Sequence, residues 1–459
     1  MAPDSRHIAL TILTDSEKNK SILDESLAKF SKNLDKLSKK DRALTNSIIF
    51  GTLRFKAKLD WTIAPFSNKK ITELDKTVIW AIRIALFQMM FMDKIPVSAA
   101  VNTAVNIVKA ESGRGAANFT NAVLRKISRN FSKVKPPDKK ENPALYISIN
   151  KSMPLWLSKR WLKQYGFADC IKLCDAINLI PPITIRTNTL KSDRASLFKL
   201  IKEDVKNSSY TKYAEDGISF TNPLKPINET KSFKDGLFQV QDQAAQITTI
   251  LLNPKPGEII LDACAGNGGK TAHAAMLMSN QGRIVATDTS GKKLANLEKE
   301  IKRLSLKIVE TKQINILKND DKSFDKTFDK VLLDAPCSGL GVLRRNPDAK
   351  WNKTHKDIKR LAARQKRFLS SVAGFVKPGG KILYCVCSCE IEENEYVIKD
   401  FLGQNPNFKI DKSLKDQCFQ SHKPLIENFF FTDKGFFKSF PHAPFMDGFF
   451  VACLIKKNI

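Results

Sequence analysis

The chain has 459 residues, 42% of them hydrophobic with 29 Phe, and carries 76 Lys and Arg against 47 Asp and Glu, a formal charge of +29. That length exceeds one ordinary core, which stops growing near roughly 250–300 residues, and that apolar content excludes a chain disordered throughout. So strong a positive field concentrates polyanions and makes nucleic acid the first expected partner, the alternative being a lysine-rich composition that only keeps the protein soluble.

The start, MAPDSRHIALTIL, has no basic segment ahead of a long apolar run, so no secretory signal is expected. To about residue 130 the apolar residues keep helical spacing (Ile8, Ile12, Leu13, then Leu23, Leu27, Phe30, then Ile48, Ile49, Leu53), which predicts an all-α domain. The most apolar run, residues 77–92, contains Arg83 and Gln88 and falls short of the ~18–20 residues of a membrane span, so it predicts a buried helix and no membrane partner. Pro96 separates it from a helix at 97–109. The basic stretch NFTNAVLRKISRNF follows, with Phe119, Val123 and Ile127 on one side and Arg125, Lys126 and Arg129 outward; a solvated face and RNA contact fit it equally. Together with residues 100–106 this stretch resembles the NusB-like RNA-binding domain, and the resemblance implies RNA contact through Arg125 and Lys126. The charged, Pro-bearing stretch KVKPPDKKEN (133–142) closes the first of three expected domains, 1–142.

The second expected domain, 143–240, opens on two short helices, MPLWLSKRWLKQYG and residues 169–179, which Pro181–Pro182 end. A strand at 183–188, a helix at 193–206 and strand-like pieces near 217–220 and 237–240 then predict a small α/β module. Arg186, among lysines, fits either an RNA contact or a spacer module. From residue 241 to 459 strands alternate with helices (259–262, 283–288, 307–313, 330–334, 381–385, 449–454), the pattern of a mostly parallel, doubly wound sheet with its chemistry at the strands' carboxyl ends.

The first of these strands runs into DACAGNGGKT (262–271), where Gly266, Gly268 and Gly269 permit a tight turn and close ligand approach. The loop fits neither a P-loop nor GxGxxG, so a dehydrogenase is disfavoured. Asp288 ends the second strand 26 residues after Asp262, near the ~20 expected of an acid that binds ribose hydroxyls. Two further strand ends each present a thiol: Cys337 in LLDAPCSGLGVLRRNPDAKW, just after Asp334, and Cys387 in YCVCSCEIEEN, after the expected turn KPGG. Carbon 5 of a pyrimidine becomes nucleophilic once a thiolate adds to carbon 6, which explains cysteines rather than serines here, and Lys270, Arg344 and Arg345 are cations able to favour the thiolate. Arg344 and Arg345 also read as phosphate contacts beside the base pocket. Either cysteine suits the role of nucleophile at this point.

The nine cysteines are odd in number and three stand in motifs, so a reducing, cytoplasmic setting is expected rather than a disulfide framework. Cys385, Cys387 and Cys389 alternate as on one strand face, unlike zinc hairpins, and the five histidines form no ligand pair, so no metal is expected. Cys170, Cys174, Cys418 and Cys453 read as core residues and His273 as structural.

DACAGNGGKT, TDTS, LLDAPCSGLGVLRRNPDAKW, KPGGKILYCVCSCEIEEN and DGFFVACLIKK together resemble the RsmB branch of the Sun family of RNA 5-methylcytosine methyltransferases. The resemblance implies a Rossmann-like methyltransferase domain at 241–459, S-adenosylmethionine as cofactor, a cytosine of small-subunit (16S) ribosomal RNA as substrate, and a monomer. It implies that Cys387 is the nucleophile, that Cys337 assists product release and that Asp334 meets the base. Cys264, Ala265, Gly266, Asn267, Gly268, Gly269, Lys270, Asp288, Asn315 and Asp334 would hold the cofactor. The target base must then leave its stack. The chain departs from the family pattern at Gly266–Asn267 (usually Ala–Pro), at Val386 (usually Thr) and at Asn315, 19 residues before Asp334, where an acid is usual. Two other readings are a DNA cytosine-5 methyltransferase with Cys337 as nucleophile, and a non-catalytic RNA-binding factor.

Overall fold

The computed structural model describes residues 4–19, 23–318, 324, 328–414, 430–442 and 446–458; Cys418 lies outside the described residues. The chain forms two compact units, Met1–Leu179 with Leu343–Thr354, and Ile180–Val342 with His355–Ile459. The helices expected to accompany the small module thus belong to the first unit, the module itself to the second.

The first unit is helical. Its core gathers residues such as Ile12, Ile48, Ile79, Trp80, Leu86, Val108 and Leu124. The apolar run is the helix Lys76–Phe91, capped by Asp75, whose carboxylate accepts from the amides of Thr77 and Val78. The Arg83 within it is neutralised by a two-pronged pair with Asp60, at 2.7 and 3.0 Å. The basic stretch ends the helix Val97–Asn130, which breaks at Gly113 (φ 84°). Arg125 and Lys126 are exposed while Val123, Leu124 and Ile127 are buried. The two short helices form Leu155–Asn178 with a break at Gly166 (φ 73°). Positive φ favours glycine because a Cβ would crowd the backbone there.

The second unit holds two sheets. A four-stranded antiparallel sheet, β1 (Ile183–Thr187), β2 (Val205–Tyr210), β3 (Gly217–Pro223) and β4 (Phe238–Val240), has the order β2-β3-β1-β4. The larger sheet comprises β5 (Ile259–Asp262), β6 (Arg283–Asp288), β7 (Val309–Gln313), β8 (Phe328–Asp334), β9 (Val376–Val386), β10 (Phe408–Ile410), β11 (Phe437–Lys438) and β12 (Phe450–Lys456). Its order is β10-β12-β9-β8-β5-β6-β7, with β11 beside β12. Strands β5 to β9 run parallel, and β12 enters antiparallel against β9. The helical crossovers run outward in opposite directions from β5 and β8, so their carboxyl ends frame the crevice where ligands of such sheets bind. The expected KPGG turn is instead part of β9, absorbed by an irregularity opposite Phe328–Lys330.

Candidate active site

A cavity of about 600 Å³ opens at the carboxyl ends of β5, β6, β8 and β9. Cys264, Ala265, Gly266, Asn267, Gly269, Lys270, Asp288, Asp334, Cys337 and Cys387 all line it. The fold thus brings together residues up to 146 positions apart (241 to 387), chiefly because parallel strands all end on one edge. Gly268 (φ +81°) lies outside the lining: a Cβ there would meet Leu297, so its role is to seat the loop on the helix Gly291–Leu304. Asn315 also lies outside it, its amide oxygen accepting from Leu317 N at 3.1 Å, while Ile314 and Ile316 face the cavity instead.

Strand β8 ends at Asp334 and β9 at Val386, so Cys385 remains on the strand whereas Cys387 and Cys389 do not. The three cysteines therefore do not share one face. Cys385 approaches Asp334 Oδ1 at 3.6 Å, Cys389 faces Ser439 O at 3.9 Å, and Cys387 Sγ lies 3.3 Å from Cys337 Sγ. Two backbone bonds hold the thiol loops together, Ala335 N to Cys385 O and Gly341 N to Cys387 O, both 3.0 Å. The hydrogen bond with Cys387, and burial with it, hold the Cys337 thiol pKa well above the usual range, so Cys337 stays protonated. Burial pushes the Cys264, Cys385 and Cys389 thiols up as well.

Lys270 Nζ donates to Asp334 Oδ2 at 2.5 Å, and its ammonium stands 5.2 Å from the Phe449 ring centre. Burial alone would lower the Lys270 pKa, but Asp334 and the neighbouring sulfurs raise it, so the cation persists beneath the thiols. Asp262, fully enclosed at the end of β5, accepts from Thr271 Oγ1 at 2.6 Å, and burial raises its pKa to about 7. Its other oxygen and the Gln241 Nε2 have no partner. A Cβ on Gly266 would point into open space. Asp288 accepts from the amides of Gly266 and Ser290, at 3.1 and 2.8 Å, which leaves lone pairs for a ligand. Unpartnered polar atoms, carboxylates and bare backbone fit a cofactor bearing hydroxyl and ammonium donors. S-adenosylmethionine is such a group.

Sequence reasoning missed Gln241, Lys293, Arg364 and Phe368 in the lining; Arg364 and Phe368 come from the helix His355–Ala373, whose stretch carries no motif. It leaves Arg186 open between an RNA contact and a spacer module, and the structure decides against the first. That guanidinium is fully buried beneath the glycine-bearing loop, donating to Gly269 O (3.1 Å), Gln239 Oε1 (2.9 Å) and Gln241 Oε1, so it meets no RNA. Arg344 and Arg345 belong to the helical unit. Arg344 is 5% exposed and its carbonyl accepts from Arg54 Nη2 at 2.7 Å, a position unsuited to an open phosphate contact, whereas Arg345 is half-buried. Among the described residues no His, Cys, Asp and Glu cluster suits a metal ion, and no helix is long and apolar enough to cross a membrane.

Comparison with known proteins finds three matched regions, the second of which in chain order spans the boundary at residues 179–180 between the two units. Residues 249–455 match the family described as 16S rRNA methyltransferase RsmB/F, residues 3–129 the NusB family, and residues 153–227 the ferredoxin-like domain of RsmF/B-like methyltransferases. The chain is 35% identical over 454 residues to the probable ribosomal RNA small subunit methyltransferase B of Bacillus subtilis, covering 99% of both chains. It is 32% identical over 423 residues to ribosomal RNA small subunit methyltransferase B of Escherichia coli, covering 92% of each. Among solved structures, PH0851 aligns over 99% of both chains with a TM-score of 0.83 and 26% identity. A methyltransferase homologue from Pyrococcus horikoshii aligns over 69% of this chain and 99% of its own, with a TM-score of 0.57 and 29% identity.

Proposed function

We propose, given that the chain belongs to the ribosomal RNA small subunit methyltransferase B family, that it methylates carbon 5 of a cytosine in small-subunit ribosomal RNA through a covalent bond from Cys387 to carbon 6. The observation that carries this reading is the 3.3 Å approach of Cys337 to Cys387 above the Lys270–Asp334 pair, at the edge of a cavity suited to the cofactor.

Cys387, its proton released to solvent through the cavity it lines, adds as thiolate to carbon 6, and the displaced electron pair gives carbon 5 enamine character. S-adenosylmethionine, when bound, supplies the electrophilic methyl group for that carbon. Its hydroxyl and ammonium groups would be held by Asp288 and Asp262, with Gly266 and Gly269 admitting close approach. Asp334, its charge balanced by Lys270, keeps lone pairs to accept from the exocyclic amine of the cytosine. Release requires the proton on carbon 5 to leave. The largest cause of the raised Cys337 pKa is its hydrogen bond with Cys387. Once Cys387 is a thioether it shares no thiol hydrogen with Cys337, whose sulfur stands 3.3 Å away and is placed to give up its proton to solvent. Its thiolate then takes the carbon 5 proton, the C–H pair restores the double bond to carbon 6, and Cys387 leaves as thiolate. A DNA cytosine-5 reading would make Cys337 attack first, and the cysteine that carries the covalent adduct distinguishes the two readings.

Exposed Arg125 and Lys126 are proposed RNA contacts. Methyl transfer from labelled cofactor to small-subunit ribosomal RNA, followed by bisulfite sequencing, tests the reading. Wild-type protein should label one or more cytosines and Cys387→Ser none; full activity in that variant would overturn it.

A further inference from the structure

Beneath the two thiols lies a carboxylate that belongs to neither strand end. Glu393 is 0% exposed, yet its side chain accepts four hydrogen bonds. One comes from Ser338 N at 2.8 Å and one from Ser338 Oγ. A third comes from Ser388 Oγ and the fourth from Gln365 Nε2 at 3.0 Å. Ser338 directly follows Cys337 and Ser388 directly follows Cys387. The same Gln365 amide donates to Pro336 O at 3.0 Å, on the other side of Cys337. Ser338 Oγ and Ser388 Oγ stand 3.2 Å apart, and Tyr384 OH binds the Glu393 carbonyl at 2.6 Å.

A buried carboxylate is costly unless every lone pair is used, and charge-assisted bonds are the strongest and most directional available. Here all four donors adjoin the thiol loops or brace them. We propose that Glu393 is a positioning residue for the reaction: its carboxylate spans the two loops, fixes Ser338 against Ser388, and thereby sets Cys337 and Cys387 at their working separation. This rests on the reading of the two cysteines given above. Glu393 does not line the cavity, so its loss changes turnover and thiol alignment while leaving cofactor binding intact.

The test compares full-length wild type, Glu393→Ala, Glu393→Gln and Cys387→Ser. Glu393→Ala should lower kcat by roughly a hundredfold, the scale of a misplacement of about 1 Å, with the cofactor Kd by calorimetry within about threefold of wild type. Glu393→Gln keeps one acceptor atom and the side-chain length, and should fall in between, with kcat and disulfide rate about three- to tenfold below wild type. Alignment is read separately with diamide, which takes two electrons and two protons from a thiol pair as the S–S bond forms. The Cys337–Cys387 disulfide, identified by peptide mass, should form at least tenfold more slowly in Glu393→Ala. If Glu393→Ala does not fold, Glu393→Gln decides, since a role limited to stability would leave its kcat and disulfide rate at wild-type values. Wild-type kcat and wild-type disulfide rate in a folded Glu393 variant overturn the proposal, provided Cys387→Ser is inactive. An active Cys387→Ser overturns the cysteine reading itself and leaves the Glu393 disulfide rate to report on alignment alone.

Discussion

At the scale of single residues, the site works by setting titratable groups in opposed environments. Burial raises Asp262 to about 7, from an ordinary 3.8, while Asp334 is balanced by Lys270 one loop away. Between those two pH values the folded protein holds a proton on Asp262 that the unfolded chain releases, so this residue's contribution is complete in acid and is lost as pH rises toward 7. Asp262→Asn should therefore flatten the fall in thermal midpoint between about pH 4 and pH 7, by an amount equivalent to on the order of a few kcal/mol, and an unchanged slope would contradict the burial argument. Arg186 teaches a related lesson. In sequence it is one cation among many, and an arginine in a basic neighbourhood reads as an RNA contact or as part of a spacer module. Its actual partners, Gly269 and the glutamines of β4 and the following loop, lie 53 to 83 residues away, and no local pattern reports such a distance.

At the scale of elements, strands are legible where burial on both faces makes them continuous apolar runs: β5 (Ile259–Asp262) and β6 (Arg283–Asp288) fall where apolar content and flanking glycines predict them. Short polar pieces are not. β2 reads VKNSSY, which by sequence is the end of a helix and a loop; only its pairing with β3 makes it a strand. The sharpest departure is the segment Leu343–Thr354, which follows the cysteine loop in sequence yet packs into the helical unit. Asp348 accepts from Leu23 N at 3.2 Å, and Trp351 Nε1 donates to Leu53 O at 2.7 Å. Lys350 Nζ donates to Arg54 O and Ser152 O, at 2.9 and 2.7 Å. Full burial of that lysine lowers its pKa to about 7. Above this value the folded protein has released a proton that the unfolded chain keeps to about 10.5, so stability should rise from pH 7 toward pH 10. Calorimetry on Lys350→Met is expected to lose that rise; an identical pH profile would mean the amine is not buried as described.

At the scale of the whole molecule, the charge of +29 was the first clue and remains the least local one. It indicated a polyanion without saying where it binds, because a net charge has no address. The exposed Arg125 and Lys126 give one address that can be tested. In Arg125→Ala/Lys126→Ala, affinity for small-subunit ribosomal RNA should fall and the slope of log affinity against log salt should become shallower by about one to two. An unchanged slope would remove both residues from the interface. The chemistry itself was more legible than the surface, since acid, glycine loop and two thiols each announce a strand end, and parallel strands must end on one edge. What the chain order alone left open was which sulfur attacks. Peptide mapping of the covalent complex in Cys337→Ala protein, incubated with cofactor and small-subunit ribosomal RNA, tests that most directly. The account predicts RNA attached at Cys387 and no complex in Cys337→Ala/Cys387→Ser; a complex that persists without Cys387 would contradict it.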